Sequence, residues 1–206
     1  MTLLALVLAA IVAIVWAFSP DRFKRIADVP LRWLWFAPVA FGLQWLVILR
    51  REDFHQFGLG LLALSQVFLL LFVWRNRHLT FVWIIGLGFL LNFLVMVANG
   101  GFMPIAPETL TTINPGSSVS DWELGTPVFH SKDIVLAKAT TRLWFLSDIL
   151  VVPPPFPLPT AFSIGDALIV IGFVLFFVQA LGSKREAAQD SEGKRILNAS
   201  TALEGR

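Results

Sequence analysis

Twenty consecutive residues, 79–98, carry no charge, and no other feature of the sequence restricts the fold as tightly. At 1.5 Å per residue such a run makes a helix of about 30 Å, the thickness of a bilayer's hydrocarbon core. A surface helix of that length in a soluble protein places charges on its wet face. Four further apolar blocks stand between charged punctuation, at residues 2–18, 33–49, 57–74 and 162–181. A membrane barrel would show ten-residue segments of alternating polarity instead.

Composition agrees. Hydrophobic residues make up 56% and charged residues 15%, with a mean hydropathy of +0.74. A soluble domain averages about 45–50% and about 25%. The sequence therefore predicts an all-α, polytopic membrane protein. Residues 1–182 form a bundle of five transmembrane helices, with a long outer loop at 99–161. Residues 183–206 are polar and read as a mobile cytoplasmic tail. The 0 Cys exclude a disulfide scaffold, and a net charge of +2 excludes nucleic acid as a partner.

Orientation follows from the basic residues. Nothing basic precedes Leu3, while Arg22, Lys24 and Arg25 follow the first block. The block thus reads as a retained helix rather than a signal peptide. With five crossings, the two faces carry 5 and 11 Lys and Arg. The positive-inside rule then puts the N-terminus outside and the C-terminus in the cytoplasm of a bacterial inner membrane. Trp16, Trp33, Trp35, Trp74 and Trp83 fall at the inner ends of spans, where indoles favour the interface.

The outer loop carries a turn signal at Asn114-Pro115-Gly116 and an acidic stretch at Asp121-Trp122-Glu123. Leu136, Leu143, Leu146 and Leu150 then recur at helical spacing. That spacing predicts an amphipathic helix over 136–152, lying on the outer face. Pro153, Pro154, Pro155, Pro157 and Pro159 follow as a stiff strap into the last span.

Polar groups inside the blocks are few. Gln44, Gln66, Asn92 and Gln179 should face the bundle, since an unpartnered amide in lipid costs several kcal/mol. They read as interhelical hydrogen-bonding groups. Asn92 and Asn99 are seven apart and share a helix face. Asn99-Gly100-Gly101-Phe102-Met103-Pro104 reads as a helix stop. A stop accounts for one glycine and the proline; the second glycine leaves amides open to an anion or another chain. Ser163 and Asp166 have the spacing of a capping box. Gly165, Gly172 and Gln179 form a stripe for packing against the fourth helix. From these positions Asn99, Asp148 and Asp166 are expected to converge at the outer mouth, with Asn92 below. The Gly100 and Gly101 amides would supply donors to the two carboxylates, as a structural latch or as a ligand site. No catalytic set is present. His130 with Asp133, or with Asp121 and Glu123, lacks recognised metal-ligand spacing. The sequence names no cofactor.

Three runs in order, Asn99 to Pro104, Phe145-Leu146-Ser147-Asp148-Ile149 and Ser163-Ile164-Gly165-Asp166, carry a resemblance. The chain resembles a family of small bacterial multi-span membrane proteins recorded only as a domain of unknown function. The resemblance covers roughly residues 33–181 and implies a multi-span bacterial membrane protein without an assigned activity. Three functional classes stay open. One is a non-catalytic accessory subunit of a larger membrane complex, with the lipid bilayer and other membrane subunits as partners. The second is a small transporter or ligand-binding membrane protein using the outer polar cluster. The third is a membrane enzyme with Asp148 and Asp166 as an aspartate pair.

Overall fold

The apolar blocks fold as helices in the computed structural model, which describes residues 29–49, 58–128 and 131–180. The first block, His130 and the tail lie outside the described residues. Helix α1 spans Phe36–Leu49, α2 Gly58–Arg75 and α3 Thr80–Ala98. After the outer segment, α5 spans Ile164–Ala180. Helix α1 begins three residues later than its block, because Trp33 adopts a left-handed φ of 57° that no helix can hold. Among the described helices only Thr80–Ala98 is both long and apolar enough to cross a membrane. The expectation of five such spans is therefore matched by one helix on length and composition, with the other apolar helices shorter.

Small residues set how closely the helices approach. A Cβ on Gly88 of α3 would lie 2.5 Å from the Gly165 carbonyl oxygen. A Cβ on Gly165 would overlap the Asn92 side chain, and one on Gly172 would overlap Ile85. Helices α3 and α5 thus meet backbone to backbone along the glycine stripe. Gln179, at the end of that stripe, is exposed rather than turned into the bundle. One apolar cluster, with Leu69, Val82, Ile85, Phe89 and Ile169, fills the middle of the bundle. A second, with Val47, Leu62, Val95, Met96, Met103 and Leu146, joins the bundle to the segment between α3 and α5.

Residues 136–152 do not form the predicted helix. The segment between α3 and α5 contains α4, Pro107–Ile113, and four short strands. Strand β1, Met103–Ile105, pairs in parallel with β2, Asp133–Val135. Strand β3, Leu150–Val152, pairs antiparallel with β4, Thr160–Phe162. Ile105, Leu110 and Val135 give this cap its own small core. The chain is mostly helical rather than all-α. Residues 136–152 fail as a helix for a local reason. Leu143 sits at a left-handed φ of 53°, and only Trp144–Leu146 make a short 3-10 turn. The leucine spacing came out differently on the two sides: Leu146 is buried, while Leu143 is 39% exposed. The proline strap leaves β3 and returns through β4, so it is the connection of a hairpin.

Both ends of the bundle are closed by an asparagine that imitates a peptide. Asn76 Nδ2 donates to the Arg32 carbonyl, and the Arg32 N–H donates to Asn76 Oδ1, each at 2.7 Å. Asn99 does the same with Arg142 at the other end, at 2.8 and 2.9 Å. Each amide also donates to the carbonyl four residues back in its own helix, Phe72 or Val95.

Candidate functional site

Asp166 lies in the first turn of α5, where the free N–H groups of a helix start favour a carboxylate. The Ser163 hydroxyl accepts from the Asp166 N–H at 2.9 Å, and Asp166 Oδ2 accepts from the Ser163 N–H at 3.3 Å. That is the expected capping box. Asn92 of α3 completes it. Its Nδ2 donates to Asp166 Oδ1 at 2.8 Å, and its Oδ1 accepts from the Ser163 hydroxyl at 2.8 Å. The close approach of Gly88 and Gly165 brings α3 near enough for this ring to form. All three side chains are buried.

The cap adds the residue that sequence reasoning missed. Lys132, one position before β2, places Nζ 4.0 Å from Asp166 Oδ2, with both side chains about nine-tenths buried. Lys132 stands beside β1 through its own carbonyl, which accepts from the Met103 N–H at 3.1 Å. No periodicity marks a lysine in a Ser-Lys-Asp loop. The only sequence signal was its being one of three cations in an otherwise acidic outer segment.

Asp148 approaches from the other side of β1. Its N–H donates to the Pro104 carbonyl at 3.2 Å, and its side chain is 4% exposed. Among the described residues Asp148 Oδ1 has no hydrogen-bond partner. Burial pushes the Asp148 carboxyl well above the usual range; the nearby Asp133 adds to this, and Lys132 opposes it. Burial acts to lower the pKa of Lys132, but Asp166, Asp148 and Asp133 outweigh it and hold the ammonium above its ordinary value. Lys132 is therefore a fixed positive charge among three carboxylates.

Two of the anticipated donors, the Gly101 amide and the Asn99 side chain, are engaged elsewhere. Gly100 and Gly101 hold φ of 81° and 94°, and the Gly101 N–H donates to the Met96 carbonyl at 2.7 Å. This six-to-one bond is that of a Schellman stop, whose left-handed position is Gly100; Gly101 holds a second positive φ just beyond it. Asn99 clamps Arg142. So Asn92 and Asp166 bond directly, while Asn99, Gly100 and Gly101 form the helix stop and the cap's clamp. The donors near the carboxylates are Asn92, Ser163 and Lys132.

Bordering this cluster lies a chamber of about 30 Å³, room for about two waters. Its polar lining is Gln44 of α1, Gln66 of α2, Asn92 of α3, Asp166 of α5 and Lys132 of the cap. Gln44 Nε2 donates to the Ser65 hydroxyl at 3.2 Å. Gln66 is 5% exposed, and its Oε1 accepts no hydrogen bond from the described residues. An unmet acceptor, a carboxylate and an ammonium thus border one small space. Among the described residues no group of three or more His, Cys, Asp or Glu is placed to hold a metal ion.

Residues 28–178 match the family described as a family of unknown function, DUF5317. The chain belongs to that family. It is also 31% identical, over 118 residues, to an uncharacterized protein of Thermotoga maritima. The matched part covers 57% of this chain and 62% of that relative, less than two thirds of the relative's length. No solved structure matches.

Proposed function

We propose that this DUF5317 member is a small ligand-binding protein of the bacterial inner membrane. On this reading the chain crosses the bilayer five times, N-terminus out, and the cap closes the outer end. The observation that carries it is the chamber bordered by Gln44, Gln66, Asn92, Asp166 and Lys132 inside an otherwise apolar bundle. Ionisable groups at such depth are expensive and are kept where they meet a ligand, an ion or one another. A passive spacer needs no unmet buried acceptor such as Gln66 Oε1.

The helix surfaces support a membrane setting. Trp33, Trp35, Trp74 and Trp83 are about half exposed or more at the end assigned to the cytoplasm. Arg75 lies over the Trp33 ring at 5.6 Å and Arg77 over Trp74 at 4.4 Å. Cations over exposed indoles suit a headgroup layer. Leu87, Leu90, Leu94 and Val97 of α3 are outward and apolar. At the other end Trp144, Phe145, Phe156 and Leu158 expose an apolar rim on the cap.

The chamber's size selects the class of ligand: water, a proton or a small ion fits, and an organic substrate needs the cap to open. Purification in mild detergent followed by native mass spectrometry tests the reading. A lone particle that carries a small ligand, lost in Asp166→Asn, supports it. Fixed stoichiometric partner subunits and no ligand would restore the accessory-subunit reading.

A further inference from the structure

We propose that Asp148 is a proton-binding site, and that release of its proton draws Lys132 away from Asp166 and loosens the cap over the chamber. The proposal rests on the chamber reading above for its functional meaning and on the Asp148 geometry for the proton.

Three observations carry it. Asp148 is 4% exposed, and its Oδ1 has no hydrogen-bond partner among the described residues. An ionised carboxylate in that position would lack the donors that a buried charge requires. Second, Asp148 and Lys132 bond neighbouring residues of β1 from its two edges, Asp148 through the Pro104 carbonyl and Lys132 through the Met103 N–H. Strand β1 thus holds both residues in the cap, and the Lys132 charge acts on the Asp148 carboxyl. Third, the Lys132–Asp166 contact is 4.0 Å, an ion pair without a close hydrogen bond. An ammonium held that loosely can shift to a second carboxylate.

Among the described residues the charged groups that act on Asp148 are Lys132 and Asp133 from the β2 side and Asp166 from α5. A proton on Asp148 removes its negative charge, and burial favours that protonated form. The step is simple. The O–H bond of Asp148 breaks, the proton leaves to water, and the carboxylate keeps the electron pair. Lys132, still charged, then has two competing carboxylate partners. The ligand is thus a proton, and the cluster links proton release to the fit of the cap.

Infrared spectroscopy of the full chain in nanodiscs tests this. The C=O stretch of a protonated carboxylic acid should be present at pH 7 and should shift on ¹³C-aspartate labelling of the unmodified protein. It should vanish in Asp148→Asn. Absence of a labelled acid band in the unmodified protein at pH 7 overturns the proposal. So does a band that survives Asp148→Asn. Mass spectrometry showing an empty chamber, with the Asp148 band in place, would sink the ligand reading and leave the proton site standing.

Discussion

Asp166 bonds Asn92 and Ser163 and pairs with Lys132, so its removal has effects in two directions. Asp166→Asn leaves a buried ammonium without its nearest carboxylate, and stability in detergent should fall by about 3 kcal/mol. Asn99→Ala breaks the two bonds to Arg142 and should cost about 1–2 kcal/mol, because the Arg142 peptide groups lose their partner. Thermal unfolding by circular dichroism measures both. Asp148 has its own pH signature. Its folded pKa is raised above the unfolded value, so the protein loses stability as pH climbs from the ordinary carboxylate range through the folded value. Asp148→Asn, which resembles the neutral acid, should flatten that dependence. A slope unchanged in the variant would assign it to another group. Some of this was legible in the residues. Ser163 and Asp166 announce their capping box by spacing alone. Lys132 does not announce itself, because its partner lies in another element and loop lysines carry no pattern.

Glycine decides the packing of α3 on α5. Gly88→Leu pushes a branched side chain into the Gly165 carbonyl and Ile169, and overpacking of this kind costs about 1–3 kcal/mol. Gly60→Ala on α2 is the control. Nothing lies within 4 Å of a Cβ there, and the exchange should gain up to about 1 kcal/mol from helix propensity. If both substitutions destabilise alike, close backbone packing is not what holds α3 to α5. The helices were readable as uncharged apolar runs, which show in composition whatever surrounds them. The cap was not. Its strands are three residues each, too short for alternation to register. The leucine spacing at 136–150 imitates a helix. The left-handed Leu143, the Asn99 clamp on Arg142 and the β3–β4 pairing all work against one. The clamp comes from a residue 43 positions away in sequence.

At the scale of the whole molecule, Lys132 and Asp166 join the bundle to the cap. The proposed topology, with the cap outside the cell, follows from the count of basic residues in the sequence. The chain has 0 Cys, so single cysteines can be placed without background. Ser118 in the cap and Arg77 in the α2–α3 turn are both exposed and lie on either side of α3 in sequence. Labelling of intact spheroplasts with a membrane-impermeant maleimide compares them directly. The account predicts that Ser118→Cys reacts from outside, while Arg77→Cys reacts only after the membrane is permeabilised. Equal labelling of both from the outside, or the protein in the soluble fraction, would contradict it.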